Sequence, residues 1–118
     1  MTSLTNYHAG AAAEDIVADH YVRRGGQIAN RRWRGRGGEV DLIVRETDCV
    51  VFVEVKKSRS FARAAERLTR RQMDRIYASA SEFISGEPAG QLTEVRFDLA
   101  LVDGAGDLRI IENAFMDA

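Results

Sequence analysis

The chain of 118 residues has one cysteine, one proline and two histidines. A single cysteine, Cys49, leaves no partner for an internal disulfide and suits a reducing cytoplasm. It also opens an apolar stretch, Val50-Val51-Phe52-Val53, where packing explains it better than thiol catalysis does. With Pro88 alone, and neither repeats nor low-complexity tracts, nothing divides the chain into parts. No apolar run approaches the roughly 20 residues that cross a bilayer. Residues 1–6 lack the basic start and apolar core of a signal peptide. These absences predict one cytoplasmic domain over residues 1–118, with residues 1–8 a flexible lead and no membrane partner.

What the chain has is arginine. It holds 17 basic and 18 acidic residues for a formal charge of −1, and 15 of the basic residues are arginine. The near-neutral total conceals a polarised layout. Between Arg23 and Arg75 stand 15 Lys and Arg against 7 Asp and Glu. Such a layout suggests one face that meets a polyanion and another that stays solvated. Arginine's planar fork suits bidentate phosphate contacts. The plain alternative is an Arg-rich soluble surface.

Two apolar segments carry acids. Gly38-Glu39-Val40-Asp41-Leu42-Ile43 and Val51-Phe52-Val53-Glu54-Val55-Lys56 read as the strands of a hairpin centred on Thr47-Asp48, so that position i faces position 95 − i. Asp41 then stands across from Glu54, and facing Cβ atoms in an antiparallel pair are about 4.5–5.5 Å apart; an odd-length loop would instead set the two acids diagonal to each other. Two carboxylates that close repel each other and lose hydration in an apolar sheet. A divalent cation held by both resolves the conflict. Side chains alternate along a strand, so Lys56 joins Glu54 on the same face. That face predicts Glu39, Asp41, Ile43, Arg45, Val50, Phe52, Glu54 and Lys56; the other, Val40, Leu42, Val44, Val51, Val53 and Val55. Apolar residues on both sides imply a strand pair covered on both faces.

Around this hairpin the periodicities are clear. Residues 9–24 read as a helix, with Ala13, Ile16, Val17 and Tyr21 on one stripe and Gly25-Gly26 as its stop. Glu14 borders the stripe, where it can lean toward a site or lie at the solvent boundary. Residues 27–33 form a weaker strand among Arg31, Arg32, Arg34 and Arg36. Trp33 there could stack on a base or serve the core. Glycines 35, 37 and 38 suggest a mobile, phosphate-gathering loop leading into the hairpin. Beyond Lys57 comes a polar segment with Arg59, read as a loop or short helix. Thr69-Arg70-Arg71-Gln72 fits a capping box, and Met73, Ile76, Tyr77, Ala80, Phe83 and Ile84 share the face of the helix that follows. Arg70, Arg71 and Arg75 oppose the dipole at that helix start, a placement that an anionic ligand would explain. Residues 95–102 alternate as a strand, with Arg96 and Asp98 paired on one face, and residues 108–111 close the order α-β-β-β-α-β-β. The class is α/β, a mixed sheet flanked by helices.

The wording of several blocks is distinctive: Gly10-x-x-Ala13-Glu14, Trp33-Arg34, Gly38-Glu39-Val40-Asp41-Leu42-Ile43, Phe52-Val53-Glu54-Val55-Lys56, Arg96-Phe97-Asp98 and Asn113-Ala114-Phe115. Together they resemble the YraN-type bacterial family over nearly the whole chain. That family in turn is similar to the restriction-endonuclease-like PD-(D/E)xK nucleases, archaeal Holliday junction resolvases among them. The resemblance implies a three-layer nuclease core with Asp41 and Glu54 as Mg²⁺ ligands. Lys56 would orient or activate the attacking water, and Glu14 would be the first-helix carboxylate. Family members usually carry Asn where Arg32 stands, and Val-Lys-Thr-Arg where this chain has Val55-Lys56-Lys57-Ser58-Arg59.

The expected activity is Mg²⁺-dependent hydrolysis of DNA phosphodiesters, with Mn²⁺ an acceptable substitute and branched or junction DNA the substrate suggested by analogy. Mg²⁺ binds through one or two carboxylates plus substrate phosphate, so Asp41 and Glu54 suffice, with the Val55 carbonyl a candidate third ligand. Arg31, Arg34, Arg36, Arg59, Arg70 and Arg71 are the candidate phosphate contacts. A homodimer would suit an enzyme that cuts two strands. The alternative is a non-catalytic nucleic-acid-binding accessory protein in which Glu54 and Lys56 form a structural ion pair. An RNA nuclease is a third reading, because nothing in the sequence reads or excludes a 2′-hydroxyl.

Overall fold

The computed structural model describes the backbone of residues 3–114 and the side chains of residues 12–114. The elements are α1 (Ser3–Arg23), β1 (Gln27–Gly35), β2 (Gly38–Arg45), β3 (Val50–Lys57), α2 (Phe61–Glu66), α3 (Arg70–Ile84), β4 (Val95–Val102) and β5 (Leu108–Ile111). A single 3-10 turn, Gly90–Leu92, precedes β4. This is the α/β order read from the sequence, with α2 as the short helix after Arg59. α1 starts at Ser3 rather than at residue 9. Phe115, one of the residues that carry the resemblance, lies outside the described residues.

The strands form one sheet in the order β1-β2-β3-β4-β5, antiparallel except between β3 and β4. A parallel pair cannot close through a tight turn, and α2 with α3 makes the crossover. α1 covers one face of the sheet, where Ala13, Val17 and Tyr21 pack on Leu42, Val44, Val51, Val53, Ala100 and Val102. α3 covers the other, where Ile76, Ala80 and Ile84 meet Ile43, Val50 and Phe52. The two-sided burial inferred for the central strands therefore holds, and the layers number three.

Each helix end has a local cause. α1 stops at Gly25, whose φ of +95° is open to a residue without a Cβ. The Gly26 N–H bonds to the Tyr21 carbonyl at 2.9 Å and the Gly25 N–H to that of Val22 at 3.0 Å, the paired closure of a Schellman motif. α3 opens with Thr69, whose hydroxyl accepts the Gln72 N–H at 3.1 Å. Only this half of the capping box forms among the described residues, and the Gln72 side chain is left for another use.

The register of β2 and β3 is the one expected: Leu42 faces Val53, Ile43 faces Phe52, Val44 faces Val51 and Arg45 faces Val50. One face assignment is corrected. Val40 packs with Ile43 and Phe52 on the α3 side and not with Leu42. The alternation breaks at Asp41, beside β1 residue Arg32, whose φ is +50°.

The glycine segment is also corrected: it is a docked turn, not a mobile loop. β1 and β2 meet in a tight hairpin in which Gly35 faces Gly38. A Cβ on Gly37 would lie 2.7 Å from the Arg75 carbonyl oxygen and 2.8 Å from Ala78 Cβ. One on Gly35 would lie 2.6 Å from the Trp33 ring. Ser79 completes the joint by donating to the Gly38 carbonyl at 2.8 Å. Glycine is used here for close backbone approach, which fixes the hairpin tip against α3.

Candidate functional site

At the end of β2 the ladder with β3 runs out at Leu42 and Val53, one step before Asp41 and Glu54. Asp41 takes up the backbone group that the ladder leaves: its Oδ2 accepts the Val55 N–H at 2.8 Å. β3 continues beyond this point because it stays paired with β4 as far as Lys57. Glu54 is thus delivered on a rigid central strand and is only 5% exposed. Lys56 Nζ lies 3.4 Å from Glu54 Oε1. The other oxygen, Glu54 Oε2, is buried without a hydrogen-bond partner among the described residues.

The titration of Glu54 reflects this setting. Burial, then the negative charge and proton-sharing contact of Asp41, push its carboxyl up to about 8, and Lys56 opposes the shift without cancelling it. Near neutral pH Glu54 therefore favours its protonated form. A cation that displaced the proton would satisfy both carboxylates and the unpartnered Oε2 together. The donor set, two carboxylate groups and no nitrogen or sulfur, fits a hard oxygen-seeking ion such as Mg²⁺ or Mn²⁺. No group of three or more His, Cys, Asp or Glu gathers among the described residues, so the remaining positions would fall to water and substrate.

A cavity of about 280 Å³ opens over the pair, lined by Arg34, Gly38, Glu39, Asp41, Glu54, Gln72, Arg75 and Ile76. Gln72, read from the sequence as a helix cap, and Arg75, read there as one of three arginines at the helix start, both line it. Their place follows from the docking of α3 on the hairpin, and its only sequence sign was glycine, read there as mobility.

The other expected residues are dispersed. Glu14 bonds to Arg32 Nε at 3.0 Å and does not join Asp41 and Glu54 in a three-acid group. Val55 reaches Asp41 through its N–H. Arg31 pairs with Asp15 at 2.7 Å and Arg70 with Asp74 at 3.2 Å, so each has an acidic partner within the chain. Arg34 lies 3.9 Å from Glu39 with its side chain 74% exposed at the cavity rim. The Arg36 backbone N–H is held by Glu82 at 2.8 Å. Arg36, Arg59 and Arg71 are exposed on the surface and do not line the cavity. Trp33 serves the core, edge-on to Phe83 with ring centres 5.3 Å apart. The backbone at Arg32 is left-handed, with φ of +50°, a conformation that Asn tolerates better than Arg does.

A second cavity of about 290 Å³ lies toward the opposite end of the sheet, lined by Arg24, Glu46, Cys49 and Arg96 among others. Its charges are mutually paired. Arg96 grips Asp98 through two nitrogens at 2.8 and 2.9 Å and reaches Glu46 at 3.0 Å. Tyr21 donates to the fully buried Asp98 at 2.6 Å, and the Asn113 N–H adds a contact at 3.2 Å. The Arg96–Asp98 pairing is the one expected from their spacing. Burial and the Asp98 carboxylate push the Tyr21 phenol well above its ordinary range, so it stays a donor.

Comparison with known proteins places the chain. The model of the uncharacterised protein family UPF0102 matches residues 13–102. A UPF0102 protein of Cereibacter sphaeroides strain KD131 is 62% identical over 115 residues, 98% of each chain. One of Ruegeria pomeroyi is 63% identical over 110 residues, 93% of this chain and 89% of its own. One of Roseobacter denitrificans is 51% identical over 111 residues, 94% and 86% of the two chains. The chain belongs to family UPF0102, the YraN-like family that its motifs resemble.

Proposed function

We propose that this protein is a divalent-metal-dependent nuclease that hydrolyses DNA phosphodiesters, with branched or junction DNA its preferred substrate. The observation that carries the reading is the buried Glu54 Oε2, left without a donor beside a second carboxylate in an open cavity. A purely structural acid pair would cost stability for no return, because an unpaired buried acceptor loses its hydration without recovering it. Asp41 and Glu54 would hold the ion, and Val55 would keep Asp41 oriented through its N–H. When bound, Mg²⁺ would offset negative charge on the scissile phosphate and favour ionisation of a water. Lys56, held beside Glu54, would position the attacking water. The water oxygen forms the new bond to phosphorus, the bond from phosphorus to one ester oxygen breaks, and the proton ends on the departing alkoxide.

The experiment is cleavage of a four-way DNA junction with Mg²⁺ or Mn²⁺, comparing wild type with Asp41→Ala and Lys56→Ala. Loss of about 100-fold or more is expected in each variant. Cleavage equal to wild type in both would overturn the assignment. A second reading, a DNA-binding accessory that does not cut, is favoured by the Glu54–Lys56 ion pair, which a structural role would also explain. It predicts junction binding without cleavage in any metal.

A further inference from the structure

The cavity holds one cation that the fold does not use. Arg75 lines it together with Asp41 and Glu54, yet makes no ion pair or side-chain hydrogen bond among the described residues. By contrast Arg31, Arg70 and Arg96 each have an acid at 3.2 Å or less. An arginine beside two carboxylates that bonds to neither is not explained by charge pairing within the chain. Its position is nevertheless well determined. The Arg75 carbonyl would lie 2.7 Å from a Cβ on Gly37, and its side-chain stem runs 3.9 Å from where a Cβ of Gly38 would stand. Two glycines thus bring this turn of α3 against the hairpin, where Arg75 lines the cavity together with the acids.

We infer that Arg75 binds the phosphate of the substrate, its guanidinium gripping a non-bridging oxygen of the diester presented to Asp41 and Glu54. This rests on the nuclease reading and names the residue that captures the anion within it. A phosphodiester gains a second negative charge as water oxygen adds to phosphorus, and a fixed cation that gains strength in that state lowers the barrier. Lys56 pairs with Glu54 and Arg34 lies 3.9 Å from Glu39 at the rim, whereas Arg75 has no acidic partner among the described residues. The planar fork of arginine can take two oxygens at once, which a lysine cannot do.

The test compares wild type, Arg75→Ala and Arg75→Lys by three readouts: Mn²⁺ calorimetry without DNA, salt-dependent binding of a labelled four-way junction in EDTA, and junction cleavage in Mn²⁺. Arg75→Ala should keep Mn²⁺ affinity within about twofold, since the carboxylates are intact. It should lower the salt slope of binding by about one and reduce kcat about 100-fold. Arg75→Lys should fall between the two. The inference is overturned if Arg75→Ala binds and cuts as wild type does, or if it loses Mn²⁺ affinity as severely as cleavage. If wild type neither takes up Mn²⁺ nor cuts, the nuclease reading fails, while the salt slope still decides whether Arg75 meets a phosphate.

Discussion

Asp98 and Glu54 are both buried acids on neighbouring central strands, and the chain treats them in opposite ways. Asp98 is gripped by Arg96, Tyr21 and the Asn113 N–H, so its burial is fully compensated. Glu54 has one oxygen on Lys56 and the other without a hydrogen-bond partner among the described residues, and Asp41, of like sign, acts on it. Compensation of the first kind locks β4 to α1. An uncompensated site persists only where folding energy elsewhere exceeds its cost, and such a site is poised for a ligand. Strands paired side by side thus carry a compensated acid on the α1 face and, one register step away, an uncompensated one beside the cavity under α3.

The comparison can be broken most severely at its saturated end. Arg96→Met leaves Asp98 and Glu46 without their shared cation, and should cost about 3–5 kcal/mol in urea unfolding while leaving Mn²⁺ uptake at the folded site intact. At the unsaturated end the sign reverses. Glu54→Gln removes the carboxyl that titrates at about 8. A folded-state value raised above the unfolded one means that stability from the protonated Glu54 is fully present below about 4.5 and is lost as pH rises through about 8. The Gln variant has no such loss. Its advantage over wild type should be small at pH 5 and grow to about 1–3 kcal/mol by pH 9 in metal-free buffer, read by thermal melts across pH.

Smaller effects separate the two ends further. Gly37→Ala drives a Cβ into the Arg75 carbonyl and Ala78, and should cost about 1–3 kcal/mol while lowering cleavage. Thr69→Ala removes the cap of α3. It should cost about 1 kcal/mol, visible as a modest drop in melting temperature.

Much of the Asp41–Glu54 site was legible in the sequence, because a strand has a strict period of two. Once the turn was centred on Thr47-Asp48, the register of Leu42 with Val53 followed, and with it the meeting of Asp41 and Glu54. The same rule failed at Val40, where the left-handed Arg32 next to it interrupts the alternation. The arginines were legible as a population and not as individuals. Which of them reaches the cavity depends on how α3 docks, and that depends on glycines 35 and 37 making room for it. A glycine that serves flexibility and one that serves close approach look identical until the neighbouring backbone is known. Glu14 and Arg31 show the same limit, since their pairings with Arg32 and Asp15 join α1 to β1 across a fold that no local pattern encodes.

In the proposed function Glu54 and Asp41 would form a cation site held closed by a proton. Its direct measurement is calorimetric titration of wild type with Mn²⁺ at pH 7 in two buffers of different ionisation enthalpy, with Glu54→Gln alongside. The account predicts uptake of Mn²⁺ by wild type with release of about one proton, tighter binding as pH rises through about 8, and both features lost in the Gln variant. No uptake by wild type with or without DNA, or uptake by Glu54→Gln equal to wild type, would contradict it.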